Sequence, residues 1–264
     1  MSSPRAAWLD PLRRALDQVD GAPVQWFFRD DDAGWADDQL WSLADVFAAA
    51  GICLDIAAIP AAVSRQAARA LHRRAARGTI EIHQHGWAHR NHESVGRACE
   101  FGPGRAPEEQ AQDLRSGRER LQALLDRPPS PVFVPPWNRC SPVTIQLLPQ
   151  LGFAALSRDR TAPPADLTEV RVGVDWSRSS RTGGLREVGR ALAGQIVPPE
   201  TSETRSGGRL RAPVGVMLHH ADMQAADRAA VSQLLELVRT SPAAAVSTLS
   251  SLAAGADQLN RRTA

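Results

Sequence analysis

The sequence predicts a single α/β domain shaped as a barrel or near-barrel, and three observations carry that expectation. Short apolar runs alternate with amphipathic helical stretches along most of the 264 residues. Strands separated by helices pair in parallel under a helical cover, and about seven such units in series favour a barrel over two small domains. Finally, side chains that titrate or bind metals gather just after the apolar runs, where α/β barrels place their active-site loops.

The N-terminal residues 1–22 are expected to form an amphipathic helix, since Trp8, Leu9, Leu12, Leu16 and Val19 recur at helical spacing. That segment has no apolar core of signal-peptide length and no run approaches a membrane span, so the chain is expected to be soluble and cytoplasmic. Strands are expected at Val24–Phe28, Ile52–Ile59, Thr79–Ile82, Val132–Val134, Phe153–Leu156, Val170–Val174 and Val214–Leu218. Between them lie helical patterns at Asp38–Ala50, Ala61–Arg77, Pro107–Asp126, Pro142–Leu151, Leu185–Ile196 and Gln224–Arg239. In the third, Pro107 suits a first turn, Glu108 and Glu109 favour the positive dipole end, and Leu114, Leu121 and Leu125 share a face. Loops are expected at Arg90–Ala106, Ser157–Leu167 and the polar Pro198–Pro213. The domain limits are a barrel over 23–255 and a C-terminal tail over 256–264.

A formal net charge of +2 points to neither a nucleic-acid nor a membrane partner. All 31 basic residues are arginine and there is no tyrosine, which removes Schiff-base lysine, P-loop lysine and tyrosine-nucleophile chemistry. Cys53, Cys99 and Cys140 are scattered, so they form neither a disulfide framework nor a zinc knuckle.

Two stretches stand out. "WFFRDDDAGW" follows an apolar run with Asp30, Asp31 and Asp32, whose mutual repulsion a bound cation would relieve. "TIEIHQHGWAHRNHE" packs His83, His85, His89 and His92 behind another strand, and histidine is the commonest metal ligand. Three further strands end in "VPPWN", "VDWSR" and "MLHHADM".

Together these residues resemble the polysaccharide deacetylases of the NodB-homology type, carbohydrate esterase family 4, over about Val24 to Leu249. The resemblance implies a distorted (β/α)7-type barrel and a metal-dependent hydrolase that removes an acyl group from an N-acylated carbohydrate or small conjugate. It implies Asp31 as catalytic base, His219 as general acid, and Asp32, His85 and His89 as ligands of a divalent ion, zinc above cobalt, nickel or iron. It also places Pro136, Trp137, Asn138, Asp175 and Trp176 against the substrate, and Trp87 is a further candidate sugar platform. One departure bears on activity. Val134 stands where many members carry an arginine that orients the base, with Arg29 or Asn138 as candidate substitutes; Gly86 replaces the usual Ser or Thr of the His-x-x-x-His motif. Two other readings stay open: hydrolysis of a non-sugar amide at the same site, and a non-catalytic sugar-binding protein that keeps the metal pocket.

Overall fold

The computed structural model describes residues 6–196 and 211–263, so most of the loop expected at Pro198–Pro213 lies outside the described residues. A short helix α1 (Asp10–Leu16) leads into β1 (Val24–Ala33), α2 (Asp37–Ala50), β2 (Leu54–Ala58), α3 (Arg65–Ala76), β3 (Ile80–His85) and α4 (Pro107–Leu125). Then follow β4 (Val132–Val134), α5 (Pro142–Gln150), β5 (Ala155–Leu156), β6 (Val174–Asp175), α6 (Trp176–Ile196), β7 (Val214–Leu218), α7 (Ala225–Thr240), β8 (Ala244–Val246) and α8 (Leu249–Thr263).

All strand pairs are parallel, in the order β5-β4-β3-β2-β1-β7-β6, and β8 joins the first three residues of β1. The sheet curls into an incomplete barrel. Its margin is drawn in where Val170 N donates to Leu156 O at 2.9 Å and Val172 N to Arg158 O at 2.8 Å. Those bonds explain why the strand expected at Val170–Val174 shortens to Val174–Asp175: its first residues pair irregularly with the end of β5.

Alternation along the strands divides the core. Trp26, Phe28, Leu54, Ile56, Ile80 and Ile82 face outward into the helical layer, while Phe27 and Met217 face inward and meet Leu249 and Ala253 of α8. The Asp55 carboxylate accepts the Leu249 N–H at 3.1 Å, which seats the start of α8 at the barrel floor. Neither β8 nor α8 is evident in the sequence, because "AAAVSTLSSLAAGA" is small and weakly patterned. The helix runs to Thr263, through the described part of the 256–264 segment expected as a tail. Leu9, Leu12 and Leu16 are buried, and the Trp8 ring meets the edge of Trp176 at 5.9 Å, so the N-terminal segment packs on α6. Among the described residues no helix is long and apolar enough to cross a membrane.

The strand expected at Val24–Phe28 continues to Ala33 and carries all three aspartates inside it. Pairing with β7 as far as Asp30↔Leu218, and with β2 as far as Ala33↔Ala58, holds this polar half extended. Asp30 faces outward, where its carboxylate accepts the His220 backbone N–H at 2.9 Å and lies 2.6 Å from the ring Nδ1. The other ring nitrogen lies 2.7 Å from Trp35 O. Both nitrogens therefore face acceptors, and only the doubly protonated imidazolium satisfies both. Burial opposes that charge, but Asp30 and the Trp35 carbonyl overcome it and raise the His220 pKa to about 9.

A group whose folded-state pKa is raised stabilises fully below its unfolded value, about 6.5, and loses that contribution as pH rises through about 9. Urea unfolding should therefore show roughly 2–4 kcal/mol less stability at about pH 10 than at about pH 6, and His220→Gln should flatten that dependence. An unchanged pH profile in the variant would show that His220 is neutral in the folded protein.

Candidate active site

The site lies at the C-terminal ends of β1, β3, β4 and β7, as a parallel barrel dictates. Its centre is Arg29, an inward-facing residue of β1 with no exposed surface. Its Nε and Nη2 donate to the two carboxylate oxygens of Asp31 at 2.8 and 2.9 Å, a bidentate pair within one strand. Nη1 donates to the carbonyl and hydroxyl of Ser157 at 3.0 and 2.9 Å, and Nη2 also donates to Asn138 Oδ1 at 2.7 Å. A buried guanidinium is tolerated only when its fixed fork of donors is matched in this way. Val134 brings no charge here, and the guanidinium that pairs with Asp31 comes from Arg29 on β1.

Strict alternation would send Asp32 outward beside Asp30. A register shift between Asp30 and Ala33, with φ of 103° at Asp32, turns it instead toward β3. There its Oδ1 lies 3.2 Å from His85 Nε2 and 3.4 Å from His89 Nε2. The three form a group with ligand atoms close enough to hold one ion. Four ligands at about 2.0 Å around a tetrahedral ion stand about 3.3 Å apart, so these separations fit a single divalent metal. The donor set agrees: Asp32 Oδ1 is buried with no hydrogen-bond partner, and His85 Nδ1 is 2.9 Å from Val134 O, which leaves Nε2 free to ligate. Burial disfavours charge on Asp32, yet His85, His89 and His219 outweigh it and bring its pKa down to about 2. His89 is pushed below its ordinary value by burial and by His85, which favours the neutral form that a metal needs.

The His85–His89 turn is organised from below by Glu100, a wholly buried residue of the Arg90–Ala106 loop. Its carboxylate accepts the backbone N–H groups of Trp87, Ala88 and Arg90 at 3.1, 2.8 and 3.3 Å. Gly86, at φ +60°, makes this possible: a Cβ there would lie 2.0 Å from Glu100 Oε2. The Arg90–Ala106 loop thus sends its acid beneath the His85–His89 turn.

His219 continues the inward face of β7 after Met217, and His220 takes the outward face. His219 is half-buried, its Nδ1 has no partner, and its charge acts on Asp32. Trp137, at φ 55°, brings its ring to 4.3 Å from that of His89, and Trp35 covers another side of His89 at 5.0 Å.

Not every expected contact is here. Pro136 is buried against the metal turn, and Asn138 serves Arg29. Asp175 Oδ1 accepts the Arg178 N–H at 3.0 Å and so caps the start of α6. Trp176 is a correction: β6 passes directly into α6, which turns the indole into the core, where it is 1% exposed against Trp8. Trp87 packs partly buried on the Phe101 and Phe133 cluster. The open indole at the site is Trp35, 43% exposed, which the sequence reading missed because the bulge that carries it there has no signature.

Comparison with known proteins follows the same lines. The sequence profile of the family described as polysaccharide deacetylase matches residues 30–156, which include the three aspartates, His85 and His89. No curated protein sequence matches the chain. Among solved structures, a family 4 carbohydrate esterase from Streptomyces lividans in complex with acetate aligns at TM-score 0.52 and 14% identity, covering 83% of this chain and 89% of that one. The peptidoglycan deacetylase PdaC from Bacillus subtilis aligns at TM-score 0.57 and 11% identity, covering 93% and 96%. A family 4 pseudoenzyme from Bacillus anthracis aligns at TM-score 0.55 and 11% identity, covering 89% and 66%. At such identities the structural likeness speaks for the fold. The profile match thus makes the β1–β5 part of the chain, which carries the aspartates and the His85–His89 pair, similar to the polysaccharide deacetylases, and the structural matches extend that fold over most of the rest.

Proposed function

We propose that the protein is a metal-dependent deacetylase that removes an acetyl group from an N-acylated sugar or sugar conjugate. The observation that carries this reading is the convergence of three ligand side chains, Asp32, His85 and His89, beside an Arg29-bound Asp31 and a free His219. Asp32, His85 and His89 would hold a divalent ion, with a donor set that suits zinc, and that ion would supply Lewis-acid polarisation and acidify a water. The remaining work falls to the chain. Asp31, held by the guanidinium, accepts the proton of the attacking water. His219, across from it, donates a proton to the departing sugar nitrogen. Trp35 and Trp137 offer apolar faces to the sugar ring. Asn138 acts through Arg29 and does not touch substrate in this scheme.

Asp32→Asn, or His85→Ala with His89→Ala, should remove stoichiometric metal from a folded chain, measured by elemental analysis. Asp31→Asn should keep the metal while lowering kcat/KM on an N-acetylated chitooligosaccharide by about 10²–10⁴-fold. A purified protein without metal would refute this reading. So would a metal-loaded protein that binds sugar but never turns it over, since that is a binding protein.

Removing Arg29 leaves a buried carboxylate without its counter-charge. Arg29→Gln should cost about 3–5 kcal/mol of stability as read by urea unfolding. In the folded fraction, turnover should fall far more than metal content.

Glu100→Ala should weaken metal binding by about 10–100-fold in chelator competition, because the ligand turn loses the acceptor of three N–H groups. Unchanged affinity would reduce Glu100 to a packing residue.

A further inference from the structure

Five arginines stand on the loops and the helix start around the Asp32–His85–His89 cluster, in a chain whose net charge is only +2. Arg90 directly follows the ligand His89, Arg139 lies two residues beyond Trp137, Arg160 follows β5, and Arg178 opens α6. With Arg97, from the loop beyond β3, these five stand at the end of the parallel sheet that carries the metal ligands. Among the described residues none of them has a carboxylate within ion-pair distance, although nine other arginines do.

Two of the five converge. Arg139 Nη1 donates to Ala98 O at 2.8 Å, which lays its guanidinium beside the backbone next to Arg97, and the Cys99 thiol donates to Arg139 O at 3.5 Å. Arg139 is only partly exposed; burial, then the Arg97 charge, lowers its pKa. Among the described residues no carboxylate reaches ion-pair distance of either guanidinium, although the Asp159 charge offsets part of the Arg139 charge. Asp159 draws on Arg139, but its Oδ1 accepts from the Thr161 N–H and hydroxyl at 2.8 and 2.6 Å. Glu93 is turned to Gly104 N at 3.2 Å, and Asp222 meets Arg181 at 3.3 Å.

Like charges brought together at a pocket mouth cost free energy unless a ligand of opposite charge bridges them. Guanidinium forks match the oxygens of a phosphate or a carboxylate in two-point contacts. We infer that the substrate is an N-acylated sugar that bears an anionic group, seated between Arg97 and Arg139 while the ring lies against Trp137. This rests on the deacetylase reading for the reaction but not for the binding. A neutral glycan would leave the rim's charge unused. An anionic sugar or sugar conjugate would instead be drawn to it at a distance and oriented with its acyl group toward His89.

The test is equilibrium binding by calorimetry at low salt, with three probes: N-acetylglucosamine, its 6-phosphate, and N-acetylmuramic acid, which carries a carboxylate. The expected result is that at least one anionic probe binds about tenfold or more tightly than the neutral sugar, with the advantage shrinking as salt is raised. A larger gain for the phosphate assigns a phosphorylated sugar, and a larger gain for the carboxylate assigns a sugar acid. Arg97→Gln and Arg139→Gln should each erase most of the anionic-over-neutral ratio, whereas Arg190→Gln, on the outer surface, should not change it. Equal binding of all three probes would overturn the inference, as would a ratio indifferent to Arg97 and Arg139. Because binding is read without turnover, selective capture of an anionic sugar that is never deacetylated would sink the deacetylase reading alone.

Discussion

Three adjacent carboxylates can share a buried strand end only if each is compensated from a different direction. Asp30 meets this demand outward, on the imidazolium of His220; Asp31 meets it inward, on Arg29. The side-to-side alternation of a strand separates these two charges without any special geometry. Asp32 has no third side to take, so the backbone leaves regular pairing at that residue and aims it at the histidines. The Asp32–His85–His89 cluster follows from that departure, and the exposed Trp35 stands just beyond it.

Strain is concentrated in the same region. Left-handed backbone at non-glycine residues occurs at Asp32, His89, Trp137 and Asn138, all in the site, and elsewhere among the described residues only at Ala36 and Asp126. Each costs on the order of 1–2 kcal/mol, and such conformers persist only where surrounding contacts fix them. Here the contacts are visible: Glu100 under His89, and Arg29 on the Asn138 amide. Well-fixed strained turns hold ligands and aromatic faces at short range, at the expense of folding stability.

Much of the site could be read from the sequence because metal and proton chemistry demand particular residue types at particular spacings. Asp32, His85 and His89 come within ligand distance of one another, and the parallel α/β architecture follows from strand–helix alternation. What stayed hidden depends on where the backbone turns. "DW" at a strand end resembles a pocket motif, but the absence of a loop before α6 swings Trp176 into the core. Glu100 is one of many acids in the sequence until the fold buries it under a glycine. The alanine- and serine-rich C-terminal stretch carries too little apolar contrast to announce a strand and a helix, since its contacts are supplied by the barrel floor.

Supplying the guanidinium partner of Asp31 from its own strand changes how the site tolerates motion. A guanidinium borne by a neighbouring strand keeps its distance to the carboxylate only while the two strands keep their spacing. Arg29 and Asp31 lie two residues apart, roughly 6.6–6.8 Å along one strand, a span fixed by covalent geometry. When the barrel breathes, the pair travels as one rigid unit. The Asp31 carboxylate thereby keeps its counter-charge through fluctuations that widen or narrow the pocket.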